Sequence, residues 1–171
     1  IPHKSRIKIR VDYGDFAQDR IPLFARRVER DENLNFSSIV LNPRKKFKWT
    51  DENFKIQKDD LLIYEAHIGM AQEKDGVGTY KEFEKNILPR IKKEGYNTIQ
   101  LMAIANHPYY GSFGYQVSNF FAPASWYGEN KDLKSLINKA HELGLNVIMD
   151  LVHSHAVKNT NEGINKFDGT D

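Results

Sequence analysis

Six side chains able to hold or move a proton fall in three short stretches: Glu65 and His67, then His107, then Asp150, His153 and His155. Each stretch follows a segment that reads as a β-strand. In parallel α/β architectures ligands lie at the carboxyl ends of the strands, because the loops there vary while the sheet holds them in place. A single histidine in such a place more often satisfies a core or a loop than a ligand. Most of the chain's six histidines share this one rim, however, and the set is what points to a site.

Between His107 and Tyr127 lie Tyr109, Tyr110, Phe113, Tyr115, Phe120, Phe121, Trp126 and Tyr127. Most of these rings are expected to pack a long ordered loop. The functional reading is a sugar platform, since a pyranose offers a weakly apolar CH face rimmed by hydroxyls and suits aromatics beside Asp, His and Asn. A phosphate would want a Gly-rich turn with Lys or Ser at a helix start, and no such turn stands at the right spacing. His153-Ser154-His155 raises a metal reading, two imidazoles on one face of a strand with Asp150 near. A paired-His motif of that kind belongs on the first strand of metal-dependent barrels, whereas this one ends the third, so no metal ligands and no cofactor are assigned.

The elements that must position these residues are legible in the hydrophobic pattern. From Arg6 to Val11 apolar and basic residues alternate, predicting a half-buried strand. Turn formers follow at Asp12, Gly14, Asp15, Pro22 and Asn42-Pro43, so residues 1–50 read as the end of a small β module, and 51–60 as a charged linker. From 61 on, strands and helices alternate. Leu61-Leu62-Ile63-Tyr64 predicts a strand buried on both faces. Thr79-Tyr80-Lys81-Glu82 has the form of a capping box, opening a helix with Phe83, Ile87, Leu88 and Ile91 inward, Pro89 as a kink and Gly95 as the stop. Thr98–Met102 predicts a second strand. Asn130 is expected to cap a second helix, with Leu133, Leu136, Ile137 and Ala140 inward and Gly144 at its end, before a third strand at Leu145–Val152. The order βαβαβ predicts an α/β fold with a parallel sheet. A (β/α)8 TIM barrel takes about 250 residues, so residues 61–171 would hold only its first three strands and two helices.

With 25 Lys and Arg against 23 Asp and Glu the net charge is +2, spread along the chain, which argues against a nucleic-acid partner. No Cys is present, excluding disulfides and thiolate chemistry and fitting a cytoplasmic location. No run of about 18 apolar residues is encoded, so no membrane partner is expected. The first residue is Ile1, and the chain is expected to begin inside a longer polypeptide.

Tyr64-Glu65-Ala66-His67-Ile68-Gly69, Ile87-Leu88-Pro89-Arg90-Ile91, Gln100-Leu101-Met102-Ala103-Ile104, Ser112-Phe113-Gly114-Tyr115-Gln116, Asp150-Leu151-Val152-His153-Ser154-His155 and Phe167-Asp168-Gly169-Thr170-Asp171 closely resemble, in order and spacing, the 1,4-α-glucan branching enzymes of the α-amylase superfamily. The resemblance runs from about Asp60 to the end, and more weakly before it. It implies that residues 1–50 are the C-terminal part of an immunoglobulin-like β-sandwich carbohydrate-binding module, and that 61–171 open a catalytic barrel. It also implies a substrate, α-1,4 glucan such as glycogen, amylose or starch, and a retaining double displacement that makes α-1,6 branches. The monomer is the default state of the parent.

By the same resemblance Tyr115 stacks on the sugar ring under attack, His155 hydrogen-bonds its 6-hydroxyl, and Asp150 organises the hydrogen bonds beneath it. His107 and His153 are possible rim residues. The nucleophile and the acid/base are expected beyond Asp171, so the chain alone is expected to be inactive, with no catalytic residue of its own. Two departures stand out, Asn106-His107 in place of Glu-His and Ser125-Trp126-Tyr127-Gly128 in place of Ser-Arg-Tyr-Gly, and a lost ion pair would account for both. The alternatives are another α-glucan hydrolase of the superfamily, or a glycan-binding protein without catalysis.

Overall fold

Alternation at the N-terminus produces two strands where one is predicted. In the computed structural model, which describes every residue except Asp59 and Asp171, β1 is Arg6–Ile7 and β2 is Ile9–Asp12, and they belong to different sheets. The side-chain period survives the break at Lys8, but period alone does not say which partner a strand takes. β2 pairs antiparallel with β3 (Ala17–Arg20), Ile9 opposite Arg20 and Asp12 opposite Ala17. The turn between them is closed by the Asp12 carboxylate, which accepts from the Gly14 amide at 2.9 Å. β4 (Val28–Arg30) and β1 flank β5 (Phe36–Ile39), both antiparallel. Ile21, Ala25 and Val28, with Phe36 against them, form the small apolar core here.

The parallel sheet begins later than the apolar run suggests. β6 is Ile63–Ala66, and Leu61, Leu62 and Ile63 are exposed rather than buried on both faces. Leu61 and Leu62 precede the strand, and among the described residues β6 pairs with β7 (Thr98–Leu101). The capping box forms as predicted. The Thr79 hydroxyl accepts from the Glu82 amide at 3.2 Å, while the Glu82 carboxylate accepts from the Thr79 amide at 2.9 Å.

The predicted break at Pro89 is absorbed. α1 (Tyr80–Glu82) passes into a π-helical turn, Phe83–Ile87, where the Leu88 amide reaches back five residues to the Phe83 carbonyl, and α2 (Leu88–Lys93) starts with Pro89 in its first turn. Proline has no amide to offer and is tolerated at that place. Phe83, Ile87, Leu88 and Ile91 are all buried, each stabilising by about 1.5–3 kcal/mol. Gly95, at φ +94, makes the left-handed exit.

After β7 the chain leaves the sheet for a pair of short antiparallel strands, β8 (Ala105–Asn106) and β9 (Asn119–Pro123), and then enters α3 (Asn130–Glu142). Glu129, not Asn130, takes the cap position, its amide donating to the Asp132 carboxylate at 3.1 Å. Leu133, Leu136 and Ala140 are buried as predicted, and β10 (Asn146–Met149) follows, parallel to β7 with Asn146 opposite Thr98. The order β10-β7-β6 puts β7 in the middle.

Two compact units result. The first combines Ile1–Arg44, Ala105–Ser125 and the described residues from Leu151 on; the second combines Lys45–Ile104 and Trp126–Asp150. These units cut across the boundaries drawn along the sequence, because the excursion after β7 and the segment after β10 hydrogen-bond to residues of the first unit rather than to the parallel sheet. The described residues of the segment read as a linker have no regular structure, but the segment is fastened within the second unit. The Thr50 amide donates to the Asn138 side chain at 2.8 Å, His141 lies 2.6 Å from Asp51, and the Phe54 ring stacks on His141 at 4.1 Å. No helix among the described residues is long and apolar enough to cross a membrane.

Candidate functional site

Tyr115 is delivered by a tight turn in the first unit. The amides of Phe113 and Tyr115 donate to Tyr110 and Ser112 at 2.9 Å each, and Phe113 and Gly114 both take positive φ, +54 and +91. A left-handed phenylalanine is a costly conformation that persists only where its surroundings impose it. Tyr115 itself is half-buried.

His155 lies on the other segment that reaches this region, and it is exposed. Two residues beyond it the Val157 amide donates to the Val117 carbonyl at 2.9 Å, two residues beyond Tyr115. The loops that carry Tyr115 and His155 are thereby joined at equivalent offsets. His153 is exposed and its ring lies nearly parallel to Phe120, centroids 5.7 Å apart at 12°. The third strand stops at Met149, short of the predicted Val152, and Ser154 and His155 form a turn. The two imidazoles are therefore not alternate residues of one strand. Among the described residues no three His, Asp or Glu side chains gather as a metal site.

His107, expected at the rim, is buried at 1 % exposure, with Nδ1 2.9 Å from the Ala105 carbonyl. Burial pushes its imidazole below the ordinary value, and the Ala105 carbonyl only partly opposes this. Its place is inside the loop. Asn106 beside it is buried too; its side-chain amide donates to the Ser118 hydroxyl at 3.0 Å, and the Ser118 amide returns a bond to the Asn106 carbonyl at 2.8 Å. The carboxamide thus has a neutral partner within its own unit. Burial also pushes the Tyr110 hydroxyl above its ordinary value.

Asp150 belongs to the second unit. It is half-buried at the carboxyl end of β10, and its amide donates to the Leu101 carbonyl at 3.0 Å, continuing the parallel ladder by one residue. His67, just past β6, is buried 3.2 Å from the Tyr127 hydroxyl. Glu65 sits within β6 opposite Gln100, whose side-chain amide donates to it at 3.0 Å. In the first unit Tyr115 and His155 lie on loops joined by the Val157–Val117 bond and His153 stacks on Phe120, while Asp150 continues the sheet of the second unit.

Sequence reading missed the Val117–Val157 tie and the pairing of Glu65 with Gln100. The second follows from strand register once the sheet is known; the first links residues 40 positions apart in the numbering and leaves no local signal.

Residues 63–168, more than half of the chain, match the family described as Alpha-amylase, alpha amylase catalytic domain. The chain is 50 % identical over 173 residues to the 1,4-alpha-glucan-branching enzyme 2-2, chloroplastic/amyloplastic, of Arabidopsis thaliana, covering 100 % of this chain and 22 % of that protein. It is 49 % identical to the 1,4-alpha-glucan-branching enzyme of Emericella nidulans, again over all of this chain and 26 % of the relative, and 48 % identical to that of Dictyostelium discoideum, over 25 % of it. Among solved structures, a Salmonella typhimurium protein assigned to the alpha amylases superposes with a TM-score of 0.70 at 24 % identity, over 86 % of this chain and 25 % of that one, which speaks for the α/β fold. The trehalose-6-phosphate hydrolase of Bacillus licheniformis gives a TM-score of 0.51 at 28 % identity, over 57 % of this chain and 18 % of its own. The chain spans about a quarter of the length of the branching enzymes it matches, and by these likenesses it belongs to the alpha-amylase catalytic-domain family.

Proposed function

We propose that this chain supplies one wall of the substrate site in a 1,4-α-glucan branching enzyme, which cuts an α-1,4 chain and transfers the piece to a 6-hydroxyl. The observation that carries the reading is identity of 47–50 % over all of this chain to branching enzymes of plants, fungi and a slime mould. In this reading 61–171 open a (β/α)8 barrel, 1–50 end a β-sandwich carbohydrate-binding module and 51–60 connect them. Tyr115 stacks on the glucose under attack, His155 hydrogen-bonds its 6-hydroxyl, and Asp150 organises the polar contacts beneath. Such contacts accelerate the reaction to the extent that they tighten as the ring flattens toward an oxocarbenium ion. The nucleophile and the acid/base lie outside this chain, which by itself only binds.

The full-length protein is expected to shift the iodine colour of amylose and to create α-1,6 linkages visible by proton NMR, while the 171-residue chain does neither. Release of reducing sugar without new α-1,6 linkages would identify a hydrolase instead. Affinity for amylose without either product would identify a binding protein.

A further inference from the structure

Among the described residues the largest wholly buried side chain is a cation. Arg20 ends β3 with an exposure of 0 %, and its partners among the described residues include no carboxylate. Nη1 donates to the Tyr13 hydroxyl at 2.7 Å and to the Lys166 carbonyl at 3.2 Å. Nη2 donates to the carbonyls of Gly163 and Asn165 at 3.2 and 2.7 Å. The guanidinium lies 5.0 Å from the centre of the Phe167 ring, and its Nε is buried with no hydrogen-bond partner among the described residues. A buried cation is tolerated only where it is well bonded. Here three of the four bonds come from the backbone of one short segment, 163–166, more than 140 positions away.

That segment has no helix or strand to hold it. Lys166 takes φ +51, and Gly163 has no room for a side chain, since a Cβ there would lie 2.6 Å from a Val157 methyl and 2.8 Å from the Asn159 carbonyl. The hairpin that carries Arg20 adds further bonds. The Tyr13 hydroxyl donates to the Phe167 carbonyl at 3.2 Å, and the Gln18 side chain donates to Thr160 and Asn161 at 3.0 and 2.9 Å. The same segment is tied to the Tyr115 loop. Asn119 donates to the Glu162 carbonyl at 2.9 Å, and Val157 to the Val117 carbonyl at 2.9 Å.

We infer that Arg20 is a positioning residue: by gripping the carbonyls of Gly163, Asn165 and Lys166 it fixes the segment that follows His155, and through it the loop that carries Tyr115. The inference rests on the glucan reading above for what the two loops face, but the grip itself does not. An N-terminal module used only to capture polymer has no need of a buried guanidinium, and packing alone would be served as well by an apolar side chain of similar volume. Lysine does not replace it, because one ammonium on a flexible stem does not reproduce the planar fork.

The test uses the full-length protein with Arg20→Lys, Arg20→Met and Tyr13→Phe. Amide hydrogen exchange over 157–169 reads the grip without substrate, and branching kinetics on amylose read its consequence. Both Arg20 variants are expected to lose about tenfold or more of the exchange protection there. Their kcat is expected to fall at least about tenfold with KM within about twofold, as misplaced contacts would give. Tyr13→Phe should show the same pattern at about threefold. Unchanged protection in Arg20→Met, or lost protection with kcat intact, overturns the inference. If neither Arg20 variant folds, Tyr13→Phe decides it: retained protection at Phe167 with unchanged kcat is fatal to it. A wild-type protein that forms no α-1,6 linkage sinks the branching reading instead, and the exchange result stands apart from that.

Discussion

The two compact units hold themselves together by different means. In the second, Phe83, Leu88, Ile91, Ile99, Leu101, Leu136 and Leu145 are all but fully buried between helices and sheet. In the first, the apolar cluster is five side chains with two alanines among them, and Arg20, Asn106, His107, Ser118, Asn119 and Glu162 are buried beside it. Apolar burial is proportional to area and indifferent to direction, so the second unit tolerates approximate fit. A buried polar network requires each partner in place, and it holds irregular loops in one conformation. Tyr115, His153 and His155 all lie in the polar unit.

Truncating the apolar unit should have the largest effect. Phe83→Ala removes a ring with 0 % exposure and is expected to cost about 3–5 kcal/mol. Both tryptophans of the chain, Trp49 and Trp126, belong to that unit, so urea unfolding followed by their fluorescence reports it. Asn119→Ala deprives the Glu162 carbonyl of its donor and should cost the first unit about 1–3 kcal/mol. Amide exchange near Val157 should reveal it while the tryptophan transition stays in place. A shift of both transitions together would mean that the two units do not differ in the way described.

Smaller effects sharpen the contrast. Thr79→Ala removes half of the capping box and should cost about 1 kcal/mol, read by the same fluorescence. The smallest concerns acid. Burial lowers the His107 pKa in the folded state, so just below its ordinary 6.5 the unfolded chain takes up a proton that the folded one does not. That contribution is complete above 6.5 and declines as the pH falls from there. Glu82 is held at about 2 from an ordinary 4.5, chiefly by the hydrogen bond from Lys74 and then by Thr79, so its contribution is present above 4.5 and lost between 4.5 and 2. The first unit should therefore weaken before the second on acidification. His107→Gln should abolish the upper limb in an exchange-monitored titration, and Glu82→Gln the lower limb in fluorescence.

Much of the second unit was legible in the sequence. The capping box at Thr79, the inward faces of both helices and the parallel pairing of β6, β7 and β10 all follow from periods and punctuation that act within a few residues. Pro89 reads as a break in the sequence, since no local rule announces the π turn that accommodates it. Leu61 and Leu62 lie before β6 rather than in it, because an apolar run does not mark the residue at which pairing begins. The site was legible only as a row of polar residues after strands and as a set of motifs shared with a family.

Residue order alone specifies the Thr79 capping box, the apolar faces that the helices bury and the loops that carry Tyr115, Asp150 and His155, because those outcomes depend on interactions between near neighbours. It takes the folded chain to show that His107 is interior while His155 is exposed, that Val117 and Val157 tie two loops, and that Arg20 grips carbonyls more than 140 residues away. Hydrogen bonds between distant segments depend on direction and distance after the chain has closed, and no spacing of residue types records either.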